Sequence, residues 1–327
     1  MIGPDGFGRD RLRAASGPGT LEIVAVYPAP VVPLAGYAVY DDLNGFLSHP
    51  GLEAVIISAP NSLHLELGVA AFGAGKHVLI EKPLANTVRD AAELVRNAAA
   101  RRRVLAVGHN SRRDAHVRAM RRLLDDGVLG RVVLAEGHFS RDAGFSLRPD
   151  QWRWSASAAP GGPLTLLAVH EIDTLQYLLG PVRRVFGWQR RLVIAAEIPD
   201  TTVTMLEFGT GALGVVGTSY VSPLARAVRL FGSSANARWD QQSGLVVDDP
   251  KGDSRPVRLD PVDTLRDELD DFAGSVREGR DPEVDGVTGL INVAVTEAAI
   301  EADRRGAAVT VDEILARAGA GDLVRAP

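Results

Sequence analysis

No cysteine occurs in the 327 residues. Its absence removes disulfides, thiolate nucleophiles and cysteine-ligated metal sites together. Lysine is nearly as scarce: of 36 basic residues, only Lys76, Lys82 and Lys251 are lysines. Long apolar runs are also missing, and none approaches the roughly 20 residues needed to span a bilayer. The net charge of −5 gives no general attraction to nucleic acid or to an anionic membrane. The opening stretch, residues 1–13, mixes Gly, Asp and Arg and has no apolar centre, so it does not read as a secretion signal. No internal repeat or low-complexity tract stands out. The expectation is a cytoplasmic enzyme or ligand-binding protein, long enough for two domains with separate cores.

The most informative stretch is Val78-Leu79-Ile80-Glu81-Lys82-Pro83. Its apolar run predicts a strand buried on both faces. Charge arrives where the strand leaves the sheet, and ligands of open α/β sheets bind at that carboxyl edge. Pro83 ends the strand, and the Lys82–Pro83 bond is a candidate cis peptide. A lysine can give or take a proton where an arginine cannot. The bland alternative is a solvated lysine at a strand end.

Residues 1–110 alternate apolar runs with helical patterns, as βαβ units do. Strands are expected at 21–27, 53–59, 78–81 and 104–108. Helices are expected from Asp42, from a cap at Asn61 or Ser62 through Gly75, and from a capping box at Thr87 and Asp90. In a parallel sheet, three polar strand ends then share one edge: Pro60-Asn61 with His64 one turn later, Glu81-Lys82, and His109-Asn110. His64 alone reads equally well as a helix-surface residue.

On Ala54–His64, Ala74–Leu84 and Val107–Arg113 the chain resembles the Gfo/Idh/MocA oxidoreductases, and the likeness extends over nearly its whole length. The resemblance implies a Rossmann domain, here residues 1–112. An α+β domain with a large, mainly antiparallel open sheet follows, here 113–327, its sheet forming a homodimer or homotetramer contact. It implies NAD or NADP as cofactor, held by Gly3, Gly6, Gly8, Pro60, Asn61, His64, Glu81, Lys82 and Asn110. Lys82 would lie beside the nicotinamide and the substrate, with Asn61 and His64 at the nicotinamide ribose.

The first half departs from the pattern in three ways. The expected opening strand is reduced to Met1-Ile2 and reads as essentially missing or truncated. In the turn Gly3-Pro-Asp-Gly-Phe-Gly8, Asp5 stands where a glycine would let the backbone approach a pyrophosphate. Pro28 stands where an acid would hold the adenosine ribose, and Pro28, Pro30 and Pro33 interrupt the helix expected next.

The second half opens with an arginine-rich helix over 112–126, most simply a solvated basic face, although by resemblance Arg112 or Arg113 approaches the substrate. A strand (131–140) and a polar loop (141–157) follow; Trp154 in that loop either stacks on a sugar or pins the loop. Gly161-Gly162-Pro163 opens a helix over 164–179, with His170 and Asp173 on one face. By resemblance His170 is the substrate-site acid–base and Asp173 a substrate contact. Histidine suits proton transfer near neutral pH. Four residues earlier, where family dehydrogenases commonly carry an acid, stands Leu166. A glycine-containing turn at 209–211 joins two strands of a hairpin, shorter strands follow to residue 259, and helices are expected at 265–277 and 287–305.

Two functional readings stay open on the sequence. One is an NAD(P)-dependent oxidoreductase acting on a sugar, cyclitol or related polyol, with Lys82 and His170 as acid–base residues. The other is a non-catalytic ligand-sensing protein on the same fold, to which Asp5, Pro28 and Leu166 point. The resemblance also admits NAD-dependent glycosidase and sugar-nucleotide ketoreductase chemistry.

Overall fold

The computed structural model describes residues 1–16, 19, 21–28 and 34–324. The chain forms two compact units. One contains residues 1–110 and 263–290, and the other 111–262 and 291–322. The division is not contiguous: residues 263–290, expected in the second domain, pack with the first.

In the first unit the elements run α1 (Phe7–Ala15), β1 (Ala25–Val26), β2 (Ala38–Val39), α2 (Leu43–Leu47), β3 (Ala54–Ile57), α3 (His64–Gly73), β4 (His77–Glu81), α4 (Val88–Ala100) and β5 (Leu105–Gly108). β1 pairs with β2, and β3, β4 and β5 pair in that order, all in parallel. Ile2 joins the two groups through parallel bridges to Tyr27 and Ile57. Its N–H donates to Ile56 O at 2.8 Å, and the Gly3 N–H donates to Tyr27 O at 2.8 Å. The opening strand is therefore not missing but truncated, to the single bridged residue Ile2. Met1–Gly3 fills its slot, giving the order β2-β1-Ile2-β3-β4-β5, which is the doubly wound dinucleotide-binding order.

The expected strand at 21–27 shrinks to Ala25–Val26 because a ladder is no longer than its partner, and β2 has two residues. Asp42 caps α2 through the N–H groups of Asn44 and Gly45, and Thr87 caps α4 through that of Asp90. Neither Asn61 nor Ser62 caps by its side chain. A 3₁₀ turn over Asn61–Leu63 leads straight into α3. Of the three interrupting prolines, Pro28 follows a cis peptide bond, and Pro30 and Pro33 lie outside the described residues.

The second unit contains α5 (Ala115–Asp125), β6 (Val132–Ser140), α6 (Val169–Leu179), β7 (Val182–Arg190), β8 (Thr201–Phe208), β9 (Leu213–Ser219), β10 (Ala225–Gly232), β11 (Asn236–Asp240), β12 (Gly244–Asp248) and β13 (Ser254–Val257). Its sheet has the order β13-β12-β11-β10-β6-β9-β8-β7-β14, where β14 is Val309–Thr310. All pairs are antiparallel except β6 with β9. Buried and accessible side chains alternate along β8, so one face is covered. The other leaves Leu134, Trp188, Val203, Met205 and Leu213 exposed.

The helix expected from 164 starts as a π-helical turn, Leu164–Ala168, before α6 takes over. The helix expected from Arg112 starts at Ala115. Before it, Asn110–Arg113 form a 3₁₀ turn in which Arg112 and Arg113 are buried, not solvated.

α7 (Thr264–Glu278) returns to the first unit. Its Leu269 and Phe272 join Leu12 of α1 with Val26, Ile56, Leu79 and Ala106 in one apolar cluster. α8 (Gly286–Arg305) begins in the first unit and continues in the second, ahead of α9 (Val311–Arg317) and α10 (Gly321–Val324). No helix among the described residues is long and apolar enough to cross a membrane.

Candidate active site

In the first unit the glycines of the opening turn divide the work. Gly3 has φ +73°, and a Cβ there would meet the Ser58 backbone at 2.8 Å. At Gly8 a Cβ would meet the Gly3 carbonyl oxygen at 2.0 Å. These two glycines let the turn press against β3 and let α1 start close to it. Gly6 precedes α1 at φ +57°, and a Cβ there would meet nothing within 4 Å. The turn is thus tight on the sheet side and open outward, as a phosphate-binding turn must be. No side chain caps α1.

Asp5, the residue out of pattern, does not stand as a bare charge. Arg9 Nη2 donates to its Oδ1 at 2.9 Å, and the two side chains are 34 % and 38 % exposed for Arg9 and Asp5. Pro60 lies just ahead of the 3₁₀ turn. Asn61, in that turn, is buried, and its Nδ2 has no hydrogen-bond partner. A buried amide without an acceptor is costly, so this orphaned donor fits a polar group arriving from a ligand. The open turn and this free donor together fit a dinucleotide.

His64 is not a helix-surface residue. It is fully buried, with Nδ1 3.0 Å from the Pro83 carbonyl and Nε2 3.0 Å from that of Ala59. It bridges the segment after β3 to the segment after β4. A neutral imidazole donates only one N–H. Burial pulls its pKa below the ordinary value, against the pull of those carbonyls.

Glu81 closes β4 and faces Arg11 of α1, whose Nε donates to Glu81 Oε1 at 2.7 Å. Arg11 also pairs with Glu268 of α7. Burial opposes the guanidinium charge, but Glu268 and Glu81 outweigh it and hold the Arg11 pKa above its usual value. Gly108 leaves room for this group, since a Cβ there would meet Arg11 Nη2 at 2.8 Å. Glu81 is thus engaged in tying α1 to the strand that presents Lys82. Lys82 itself is half-buried, and its bond to Pro83 is cis. Asn110 donates from Nδ2 to Thr264 Oγ1 at 2.8 Å, which anchors the start of α7.

In the second unit His170 is half-buried on α6. Its Nδ1 lies 3.2 Å from Ser111 Oγ, and its ring centroid lies 6.0 Å from that of Phe139. Leu166, the position without an acid, packs in an apolar cluster with Leu167, Ile198 and Tyr220. Trp154 packs against the same cluster, so the loop-pinning role is the one its contacts support. Arg112 Nε and Nη2 donate to Asp173 Oδ2 and Oδ1 at 2.8 and 2.7 Å. Asn292 Nδ2 adds a third bond to Oδ1 at 2.6 Å. Both Asp173 oxygens are occupied by these bonds.

Next to His170 on α6, Glu171 is buried against Arg226. Arg226 Nε donates to Glu171 at 2.7 Å, and its Nη1 donates to Asp114 at 2.8 Å. Burial pushes both carboxyls up, only partly offset by the guanidinium.

Sequence reasoning missed Ser111, Arg9, Arg11 and Asn292. Only the first two left a trace in the chain. Ser111 adjoins Arg112 in a quoted motif, and Arg9 follows Asp5 at the i, i+4 spacing of a helical ion pair.

Two family models match the chain. "Oxidoreductase family, NAD-binding Rossmann fold" covers residues 1–109, and "GFO/IDH/MocA C-terminal domain" covers residues 117–238. Among known proteins, 1,5-anhydro-D-fructose reductase of Ensifer adhaerens is 28% identical over 274 residues, spanning 80% of this chain and 81% of its own. Myo-inositol 2-dehydrogenase of Thermotoga maritima is 25% identical over 291 residues, spanning 84% and 85%. A solved structure of a Desulfitobacterium hafniense protein, described only as a candidate NADPH-dependent oxidoreductase, superposes with a TM-score of 0.91 at 28% identity, covering 96% of this chain and 97% of that one. Levoglucosan dehydrogenase in complex with NADH shares the fold, with a TM-score of 0.86 at 23% identity over 95% and 97% of the two chains.

Proposed function

Because the chain belongs to the Gfo/Idh/MocA family of oxidoreductases, with an N-terminal NAD(P)-binding Rossmann domain, we propose that it moves hydride to or from a carbon of a sugar, cyclitol or related polyol. The observation that carries this reading is the open glycine turn together with the buried, partnerless Asn61 amide on the first unit. The sugar- and inositol-directed names of relatives at 28% and 25% identity support the substrate class.

The bound nicotinamide supplies the hydride chemistry. The chain's own residues handle the proton, and we assign that task to Lys82 and His170. Oxidation of an alcohol requires a base for the hydroxyl proton; reduction of a ketone requires an acid to return it. His170 can play either part. The Ser111 hydroxyl can accept from Nδ1–H or donate to a bare Nδ1, so it supports both tautomers. Lys82 can cycle between ammonium and amine. Arg112 and Asp173 position the Ser111 segment against α6, and Trp154 borders the same apolar cluster as Leu166.

Assembly as a homodimer or homotetramer through the open sheet face belongs to the same proposal. It is supported by the exposed Trp188, Val203, Met205 and Leu213; contiguous apolar surface of this kind marks an interface. The cytoplasm is the compartment we assign.

A ligand-sensing role without turnover is the second reading, favoured by Leu166 buried where it cannot orient an imidazole. The deciding experiment is an equilibrium titration with NAD⁺, NADP⁺, NADH and NADPH, followed by a polyol and sugar screen that monitors reduced nicotinamide. Turnover that is lost in Lys82→Ala and in His170→Ala supports the dehydrogenase. Tight cofactor binding with no turnover on any substrate supports the sensor.

A further inference from the structure

Asp5 poses an electrostatic problem that dinucleotide binding, the premise of the proposed function, must overcome. It sits in the turn between Gly3 and Gly6, just ahead of α1. A helix N-terminus favours an anion. A carboxylate at that end already uses part of the attraction that a pyrophosphate would feel and adds repulsion of its own. The turn geometry is otherwise intact: Gly8 N–H donates to Asp5 O at 3.0 Å and Arg9 N–H to Gly6 O at 3.1 Å. The obstacle is therefore charge and not backbone shape.

Arg9 answers it from the first turn of α1. Its guanidinium holds Asp5 at 2.9 Å across an i, i+4 spacing, with both side chains about one-third exposed. We infer that Arg9 is a cofactor-affinity residue of this chain: it neutralises Asp5 and so makes a carboxylate-bearing glycine turn compatible with a dinucleotide pyrophosphate. The pair adds little to stability, because partly exposed ion pairs contribute near zero to the fold. Its consequence lies in binding. A phosphate approaching the turn meets a neutral pair and not a bare carboxylate.

The test is a fluorescence and calorimetric titration of NADH and NADPH into four full-length proteins: wild type, Arg9→Ala, Asp5→Asn and the double variant. Melting of each unliganded protein checks that the fold is kept. Arg9→Ala is expected to weaken binding about tenfold, the scale of one uncompensated unit charge acting through largely solvent-screened surroundings. Asp5→Asn in the same chain is expected to restore affinity to within about threefold of wild type, since the charge needing compensation is gone. The Arg9→Ala defect is also expected to shrink as salt is raised. Wild-type affinity in Arg9→Ala would overturn the inference, as would a double variant no better than Arg9→Ala. Binding by Asp5→Asn with none by wild type would overturn it while leaving the oxidoreductase reading in place. No binding by any of the four would remove both.

Discussion

The Arg112 guanidinium grips the Asp173 carboxylate with two parallel bonds of 2.8 and 2.7 Å, and both side chains are buried. Arg112 adjoins Ser111 in the chain, and Asp173 lies one helical turn beyond His170. The fork-to-fork geometry therefore sets the spacing between the Ser111 hydroxyl and the His170 ring, 3.2 Å apart.

Asp173→Asn leaves Arg112 buried without its counter-charge. Breaking a buried pair from one side costs about 3–5 kcal/mol. Urea unfolding should show a loss of that order, with part of the catalytic rate lost along with it. An unchanged midpoint would remove the pair from any positioning role.

Ser111→Ala removes the neighbour of His170 Nδ1. The expected result is a fall in kcat of about 10- to 100-fold, a part of the 10²–10⁴-fold that a general acid–base contributes, with little change in KM. Ser111→Thr keeps the hydroxyl and should recover most of the rate. Nitrogen chemical shifts of the imidazole report the tautomer without need of turnover, and a tautomer unaltered in Ser111→Ala would argue against the assignment.

His116 of α5 stacks on Trp239 of β11, with centroids 3.5 Å apart and planes 3° apart. Burial, then the charge of Arg226, lowers its pKa from 6.5 to about 3. The unfolded chain thus takes up a proton below pH 6.5 that the folded chain refuses. The stability present above that pH is lost as pH falls, by about 2 kcal/mol between pH 6.5 and pH 5. His116→Phe keeps a stacked ring and removes the titration. Its unfolding free energy should decline less over that interval than the wild type's, and parallel declines would refute the assignment to His116.

Gly3→Ala forces a side chain into φ +73° and to within 2.8 Å of the Ser58 backbone. Strain of about 1–3 kcal/mol is expected, together with weakened dinucleotide binding. Gly6→Ala, with nothing within 4 Å of the new Cβ, should keep the packing and carry only the cost of its positive φ. Thermal melts of the two variants side by side distinguish steric contact from backbone strain.

Val203→Glu places a charge at the centre of the open sheet face, opposite Trp188 and Gly217. Sedimentation should show smaller assemblies with the monomer fold intact. Identical sedimentation of wild type and variant would place the oligomer contact elsewhere or remove it.

The amino-acid sequence alone determined what is local or repeated: the apolar β4 run ending in Glu81-Lys82-Pro83, the Thr87 cap, the hairpin about Gly209–Gly211, and the periodicity of α7. In each, neighbouring residues supply the physics. Only the tertiary structure decided the rest. Ile2 becomes a bridge between the two groups of strands because the chain at Tyr27 and at Ile56–Ile57 offers hydrogen bonds on both sides of it. Residues 263–290 join the first unit because the apolar stripe of α7 matches α1, which lies some 250 residues earlier. His64 and Arg112 look like surface residues in a sequence window, yet long-range carbonyl and carboxylate partners hold them buried. The Ser111 and His170 pairing joins residues 59 positions apart, and no sequence periodicity encodes such a distance. It follows from where the 3₁₀ turn at Asn110–Arg113 meets α6.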